Sequence, residues 1–122
     1  MVTPVDVYVV ARDVLFPLRA SESAARSCIS RAYYGAFLSA RRVSGTGDST
    51  AGVHREVANW FVNSQTRGHL KIGNRLNQMR DLRNEADYAI QLQKDWSRLA
   101  FDTLGLAERV LLALGETVPP AS

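Results

Sequence analysis

The amino-acid sequence predicts an all-α fold, an antiparallel bundle of about five helices. Apolar residues recur three and four positions apart along most of the chain, which is the periodicity of a helix with one buried face. No stretch alternates apolar and polar residues with a period of two, so the pattern does not indicate β-strands. The periodic stretches are joined by short polar connections, and helices joined in this way pack most simply as an antiparallel bundle.

The first two helices have clear start and stop signals. The first is predicted to begin at Thr3, whose hydroxyl can cap a helix with Pro4 in its first turn, and to end near Phe16. The second is predicted to begin at Ser21 and to end in the small, polar connection 44–48. Its predicted buried stripe consists of Ile29, Tyr33, Ala36, Ala40 and Val43.

Three further helices complete the predicted bundle. The third breaks near Arg67, and its apolar residues are Val53, Val57, Trp60 and Phe61. The stripe of the fourth consists of Ile72, Leu76, Met79, Arg83, Ala86 and Ile90. The fifth runs from about Leu92 to Gly115, and its stripe consists of Leu99, Thr103, Leu106, Val110 and Ala113. Residues 1–118 are predicted to form a single domain, with 119–122 as a short tail.

The composition is typical of a globular chain. Of the 122 residues, 46% are hydrophobic and 22% are charged. The longest apolar runs are far shorter than the roughly 20 residues that span a bilayer. The N-terminus lacks the basic region of a secretory signal, and the lone Cys28 cannot form a disulfide within the chain. These features predict a cytoplasmic protein that does not associate with a membrane.

Basic residues are concentrated in the stretches 26–42 and 67–83. The net charge of +3 is too small to demonstrate a polyanionic partner, but the distribution of charge along the chain is uneven. These arginines either form solvated helix faces, as we expect for Arg41, or face an anionic partner. In the second case, Arg31 and Arg80 are candidates for binding RNA or phosphate.

Arg83 is the most unusual residue of the fourth helix, because the periodicity places its permanent charge on the apolar stripe. Such a charge is costly to bury unless it is paired. Asp87 lies one turn further along the same face and can pair with it. Arg83 is therefore either half of a structural Arg–Asp brace or a residue that meets a phosphate, which its planar donor fork fits well.

The devices of common enzyme chemistry are missing. The sequence has no Gly-rich phosphate loop, no nucleophile elbow and no paired Cys or His at metal-ligand spacing, so we expect neither a metal nor a cofactor. His54 and His69 each fit a structural position as well as a functional one. Small residues along the second helix, among them Gly35, predict that another helix packs closely there.

Three segments resemble the small stand-alone HEPN-domain proteins of bacteria and archaea. They are Ser30–Phe37, His54 followed by Val57 and Phe61, and Leu82–Tyr88, and the resemblance extends over nearly the whole chain. It implies a bundle that dimerises and, in many members, a metal-independent ribonuclease. It also implies, in many cases, a toxin encoded beside a small nucleotidyltransferase that restrains it.

The catalytic pattern of that family is an Arg, a polar residue and, a few residues further on, a His. Arg83 and Asn84 match its first half. The positions at which the His would stand are occupied by Tyr88, Ala89 and Ile90. Arg83 would stabilise the phosphorane, and a substitute base would have to be Asp87, Tyr88 or His54. Among these, His54 has the most suitable ordinary pKa.

The resemblance and the charges together predict a HEPN-type protein that acts on or binds RNA or nucleotide phosphate. The expected activity is that of a metal-independent ribonuclease component of a toxin–antitoxin or defence-like module. The alternative is a non-catalytic, dimeric interaction protein whose partner is a nucleotidyltransferase. A homodimer is expected in both cases, because the first helix carries apolar residues on more than one side.

Overall fold

A computed structural model describes residues 1–46, 52–89 and 93–121, and every regular element within these ranges is helical. The five α-helices are α1 (Pro4–Val10), α2 (Glu22–Ser44), α3 (Val53–Asn63), α4 (Arg67–Tyr88) and α5 (Trp96–Ala113). The predicted all-α bundle is confirmed. Ile90, Leu92 and the last two residues, 47–48, of the predicted connection 44–48 lie outside the described residues. No helix in the described ranges is long and apolar enough to cross a bilayer.

The start of the chain forms a capped helix. The Thr3 side chain accepts a hydrogen bond from the backbone N–H of Asp6 at 3.1 Å, and the Thr3 N–H donates to the Asp6 carboxylate at 2.9 Å. After Val10, a π-helical turn and a 3₁₀ turn extend the helical backbone to Leu18, past the predicted end near Phe16. Pro17 is tolerated in the 3₁₀ turn because the first turn of a helix needs no N–H donor at this residue.

The predicted close approach to α2 occurs between α1 and Gly35. A Cβ atom added to Gly35 would lie 2.9 Å from the carbonyl oxygen of Pro4 and 3.0 Å from the backbone nitrogen of Tyr8. Further along the same contact, the Cys28 thiol donates to the carbonyl oxygen of Ala11 at 3.3 Å. Burial raises the pKa of Cys28 to about 12, so this cysteine is a packed thiol rather than a reactive one.

The helix α2 is central, and it runs parallel to α5. Near the starts of both helices, the Arg26 guanidinium lies 4.2 Å from the ring centroid of Trp96. Near their ends, Arg42 forms an ion pair with Glu116. The consecutive helices α3, α4 and α5 alternate in direction, and since α4 is also antiparallel to α2, α5 points the same way as α2.

The core is formed by the helix stripes, with a few departures from the predicted positions. Buried members of the predicted stripes include Ile29, Tyr33, Ala36, Ala40, Val57, Phe61, Ile72, Leu76, Met79, Thr103 and Val110. Val43 and Trp60 are exposed, and Ala113 is exposed at the end of α5. The helix α4 begins at Arg67, where a break was expected, and α5 begins at Trp96 because the Asp95 carboxylate caps it through the N–H of Arg98 at 3.0 Å.

The contact between α3 and α4 depends on Gly73. A Cβ atom at this position would lie 2.5 Å from a methyl group of Val62 and 2.9 Å from the carbonyl oxygen of Ala58. The two helices therefore approach backbone to backbone, as glycine permits. This close, antiparallel packing brings the start of α3 beside the second half of α4.

Candidate functional site

An open cleft of about 540 Å³ lies where the start of α3 meets α4. Its lining is polar and mostly basic, and consists of Gly52, His54, Arg55, Arg80, Asp81 and Asn84. We refer to it as the α3–α4 cleft. Arg80 and Asn84, two of the predicted site residues on α4, therefore line the same cleft as His54. Their positions along the chain give no indication that they are close to His54.

Two aromatic side chains of α2 contact the ring of His54 in the α3–α4 cleft. Its Nδ1 lies 2.7 Å from the hydroxyl oxygen of the buried Tyr33, and its ring stacks on Phe37 with the ring centroids 4.1 Å apart. Both aromatic residues belong to α2, so the imidazole is fixed between two helices. Sequence reasoning assigned Tyr33 and Phe37 to the core, and it found no link to His54.

The pKa of His54 lies below its ordinary value, and burial of the ring is the largest cause. The positive charges of Arg83, Arg80 and Arg41 lower the pKa further. His54 is therefore neutral at neutral pH, in the field of nearby cations. Arg41, which was expected to be solvated, is half-buried and is one of these three cations.

Arg80 is a cation from α4 in the lining of the α3–α4 cleft. It is half-buried, and within the described ranges it has no ion pair and no hydrogen bond. Arg55, on the opposite wall, is exposed. A guanidinium without an intramolecular partner keeps its whole planar donor set for a ligand.

Arg83, in contrast, interacts with two side chains of its own helix, α4. Its Nε lies 3.1 Å from the Asp87 carboxylate, and an Nη donates to the side-chain oxygen of Asn84 at 3.2 Å. Asp87 also accepts a hydrogen bond from the Ser30 hydroxyl at 3.3 Å, which connects the pair to α2. The predicted Arg–Asp pair is confirmed, with the Arg83 side chain 23% exposed.

The remaining predicted site residues lie outside the α3–α4 cleft. Tyr88, the last residue of α4, is 71% exposed, and Arg31 is exposed on α2 without lining the cleft. His69 has a structural place, because its Nδ1 lies 2.9 Å from the Ser64 hydroxyl oxygen at the α3–α4 turn. The group that the structure brings together is therefore His54, Arg80 and Asn84, with Arg83 and Asp87 beside them.

A larger and less polar depression, of about 700 Å³, lies between the first helical segment and α5. Its lining includes Tyr8, Arg12, Phe16, Phe101, Leu104 and Glu108, and we refer to it as the α1–α5 groove. The C-terminal tail reaches this groove because Arg12 donates to the carbonyl oxygens of Pro119 at 2.6 Å and Pro120 at 3.1 Å. Arg12 also pairs with Asp13 at 2.9 Å, so this guanidinium is used within the fold.

The part of the chain that the structure describes contains no candidate metal-binding site. No group of three or more His, Cys, Asp or Glu residues there is arranged to hold an ion. Among its described residues, the α3–α4 cleft has hydrogen-bond donors and positive charge from His54, Arg55, Arg80 and Asn84, together with the Asp81 carboxylate. Such a site can bind an anionic oxygen and can stabilise negative charge on it.

Comparisons of this chain with known protein families, curated proteins and solved structures gave no significant match.

Proposed function

We propose that this chain is a HEPN-type protein that binds a phosphate group of RNA or of a nucleotide in the α3–α4 cleft. The observation that carries the proposal is the meeting of His54 from α3 with Arg80 and Asn84 from α4 in one open, basic cleft. These are donor groups, and a phosphate oxygen is the acceptor that such a set fits best.

The charge balance around the α3–α4 cleft supports an anionic ligand. Arg80, Arg83 and Arg41 all lower the pKa of His54, so their positive potential reaches the same point. Among the described residues that line the cleft, Asp81 is the one carboxylate. A phosphate would offset this positive potential, and the availability of Arg80 means that no internal ion pair has to be broken first.

Binding is better supported than cleavage. In the family pattern Arg83 would stabilise the transition state, but here it is held by Asp87 and Asn84. The position of the missing His is Tyr88, whose side chain is largely in solvent. Ribonuclease activity, as part of a toxin–antitoxin or defence-like module, is the narrower proposal. It requires Arg83 to leave its pair and another group to accept the 2′-hydroxyl proton.

A second candidate is a non-catalytic, dimeric interaction protein, for example one that binds a nucleotidyltransferase. The brace formed by Arg83, Asp87 and Ser30 favours it, because the brace gives the motif arginine a structural task between α4 and α2. A homodimer is part of both proposals, and exposed apolar side chains at Val10, Val14 and Leu18 support it. Sedimentation that finds only monomer at micromolar concentration would contradict the dimer.

The binding proposal is tested by titrating the protein with a short, fluorescently labelled single-stranded RNA at several salt concentrations. Arg80→Ala is expected to weaken binding at least about tenfold, because a hydrogen bond to a charged group contributes about 1.5–3 kcal/mol. It is also expected to reduce the salt dependence of log K by about 0.7, the value for one phosphate contact on a single strand.

Arg109→Ala is the matched control, because it removes the same charge from an exposed position on α5 that lines the α1–α5 groove. It is expected to change affinity less than twofold. Equal losses for the two variants would indicate diffuse attraction rather than a site. A wild-type protein that binds no RNA and no nucleotide would refute the proposal and favour the interaction protein.

Cleavage is examined with the same RNA, with and without a metal chelator. We expect no cleavage, or weak cleavage that the chelator does not affect and that Arg83→Ala abolishes. Rapid, chelator-resistant cleavage that His54→Ala removes would restore the ribonuclease proposal.

A further inference from the structure

We propose that Tyr33 fixes the tautomer of His54, so that the imidazole presents its Nε2–H to the α3–α4 cleft as a hydrogen-bond donor for phosphate. Tyr33 is in this sense a positioning residue. The phosphate role rests on the proposed function, whereas the assignment of the tautomer rests on the geometry of the two side chains. The assignment depends on a contact between α2 and α3.

Tyr33 is 1% exposed, and within the described ranges its hydroxyl has a single hydrogen-bond partner, Nδ1 of His54 at 2.7 Å. Burial raises the pKa of Tyr33 to about 12, so the hydroxyl carries its proton at neutral pH. A buried O–H that donates to nothing is unfavourable, which means that this proton is directed at Nδ1.

In a neutral imidazole, one ring nitrogen carries a proton and the other accepts a hydrogen bond. If Nδ1 accepts from Tyr33, the ring proton resides on Nε2. The opposite tautomer would place the Nδ1 proton against the hydroxyl oxygen and would leave the Tyr33 proton without an acceptor among the described residues.

The imidazole ring of His54 is oriented by its neighbours. Nδ1 faces the buried Tyr33, Phe37 stacks on the face of the imidazole at 4.1 Å, and His54 itself lines the α3–α4 cleft. Nε2, on the other side of the ring from Tyr33, has no hydrogen-bond partner within the described ranges. Its N–H is therefore available to a ligand in the cleft, alongside the guanidinium of Arg80.

With its proton on Nε2, His54 can bind phosphate through this nitrogen but cannot accept a proton there. A nitrogen that carries a proton donates to a phosphate oxygen, and it cannot accept the proton of a 2′-hydroxyl. For His54 to act as a base through Nε2, the Tyr33 hydroxyl would have to turn away from its acceptor. Tyr33 thus favours a cleft that holds phosphate over one that cleaves RNA.

The tautomer is measured directly by nitrogen-15 NMR of the His54 ring at pH 8, using long-range couplings from the ring carbon-bound protons. We expect a protonated Nε2 and an unprotonated Nδ1 in the wild type. Tyr33→Phe is expected to give a mixture of both tautomers. Tyr34→Phe removes a hydroxyl from the adjacent, exposed residue and is expected to leave the spectrum of His54 unchanged.

The donor role is measured with the same labelled RNA as above. Tyr33→Phe is expected to weaken binding at least about twofold, in proportion to the fraction of molecules that lose the competent tautomer. His54→Gln keeps an N–H donor near the position of Nε2 and is expected to bind within about threefold of the wild type. His54→Ala, which has no donor, is expected to bind about tenfold more weakly.

The outcomes separate this inference from the proposed function. A wild-type ring with its proton on Nδ1, or a Tyr33→Phe protein with an unchanged tautomer, overturns the inference whether or not RNA binds. His54→Gln that binds as weakly as His54→Ala overturns the donor role. If the tautomer is as expected but neither RNA nor nucleotide binds to the wild type, the proposed function fails, while the control of His54 by Tyr33 is supported.

Discussion

Arg12 and Arg80 lie in two depressions of the same bundle and have opposite surroundings. In the α1–α5 groove, Arg12 pairs with Asp13, donates to two carbonyl oxygens of the C-terminal tail and lies 5.6 Å from the ring centroid of Tyr8. In the α3–α4 cleft, Arg80 has no such partner among the described residues. The first guanidinium is part of the fold, and the second is available to a ligand.

The number of arginines in a region does not by itself identify a phosphate site. Arg26 belongs to a basic stretch of the sequence, but it donates to the carbonyl oxygen of Ala89 at 2.8 Å and lies against Trp96. It therefore stabilises the C-terminal end of α4. What distinguishes the α3–α4 cleft is a cation whose donors remain unused next to a donor histidine.

The largest expected effect concerns the packing that forms the α3–α4 cleft. Gly73→Ala should lower the free energy of unfolding by about 1–3 kcal/mol, because the new methyl group meets the backbone of Ala58 and a methyl group of Val62. Denaturant unfolding measures this change. RNA binding should weaken as well, since the position of α3 sets the position of His54.

The control for that substitution lies in the α1–α5 groove. Gly105 is in the middle of α5, and a Cβ atom there would have no neighbour within 4 Å. Gly105→Ala should therefore raise the free energy of unfolding, by up to about 1 kcal/mol through helix propensity. If Gly73→Ala stabilised the protein as well, the close approach of α3 and α4 would be wrong.

The next expected effect separates stability from binding. Arg12→Ala should lower the free energy of unfolding by about 1–3 kcal/mol, because it removes the hydrogen bonds that hold the tail. It should leave RNA affinity within twofold of the wild type. Denaturant unfolding measures this loss of stability, and Arg80→Ala should change stability by less than about 0.5 kcal/mol. Loss of RNA binding in Arg12→Ala would make the α1–α5 groove the better candidate site.

A smaller effect is expected from pH. Burial and the charges of Arg83, Arg80 and Arg41 hold the pKa of His54 below about 6.5 in the free protein. A bound phosphodiester offsets that repulsion, so the pKa of His54 is higher in the complex and binding takes up a proton. Affinity for RNA should therefore rise as the pH falls from 8 to 6, by a few-fold at constant salt.

The control for the pH effect is His54→Gln, whose side chain does not titrate. Its affinity should be nearly constant over the same pH range. If the wild type and His54→Gln had the same pH profile, the proton would be taken up elsewhere, and His54 would lie outside the binding site.

The smallest expected effect is that of Tyr88→His, which recreates the spacing of the family pattern. Because Tyr88 is largely exposed at the end of α4 and Arg83 is paired with Asp87, we expect no gain of RNA cleavage. Product analysis on a denaturing gel checks this expectation. A clear gain of cleavage would mean that the brace opens readily and that the region is a ribonuclease site that has lost its histidine.

The sequence by itself determined the local features. The helix cap at Thr3, the buried stripes of α2 and α4, the close approach at Gly35 and the pair of Arg83 with Asp87 were all predictable. Each depends on residues within one helix or on small residues along it, and the helical period relates those positions directly.

The tertiary structure decided which distant residues meet. The partners of His54 come from α2 and α4, and those of Arg12 come from the tail, so no spacing along the chain relates them. Contacts between helices depend on how closely the backbones approach, as at Gly73, and on the direction of each helix. For this reason the availability of Arg80 and the orientation of His54 follow only from the packed bundle.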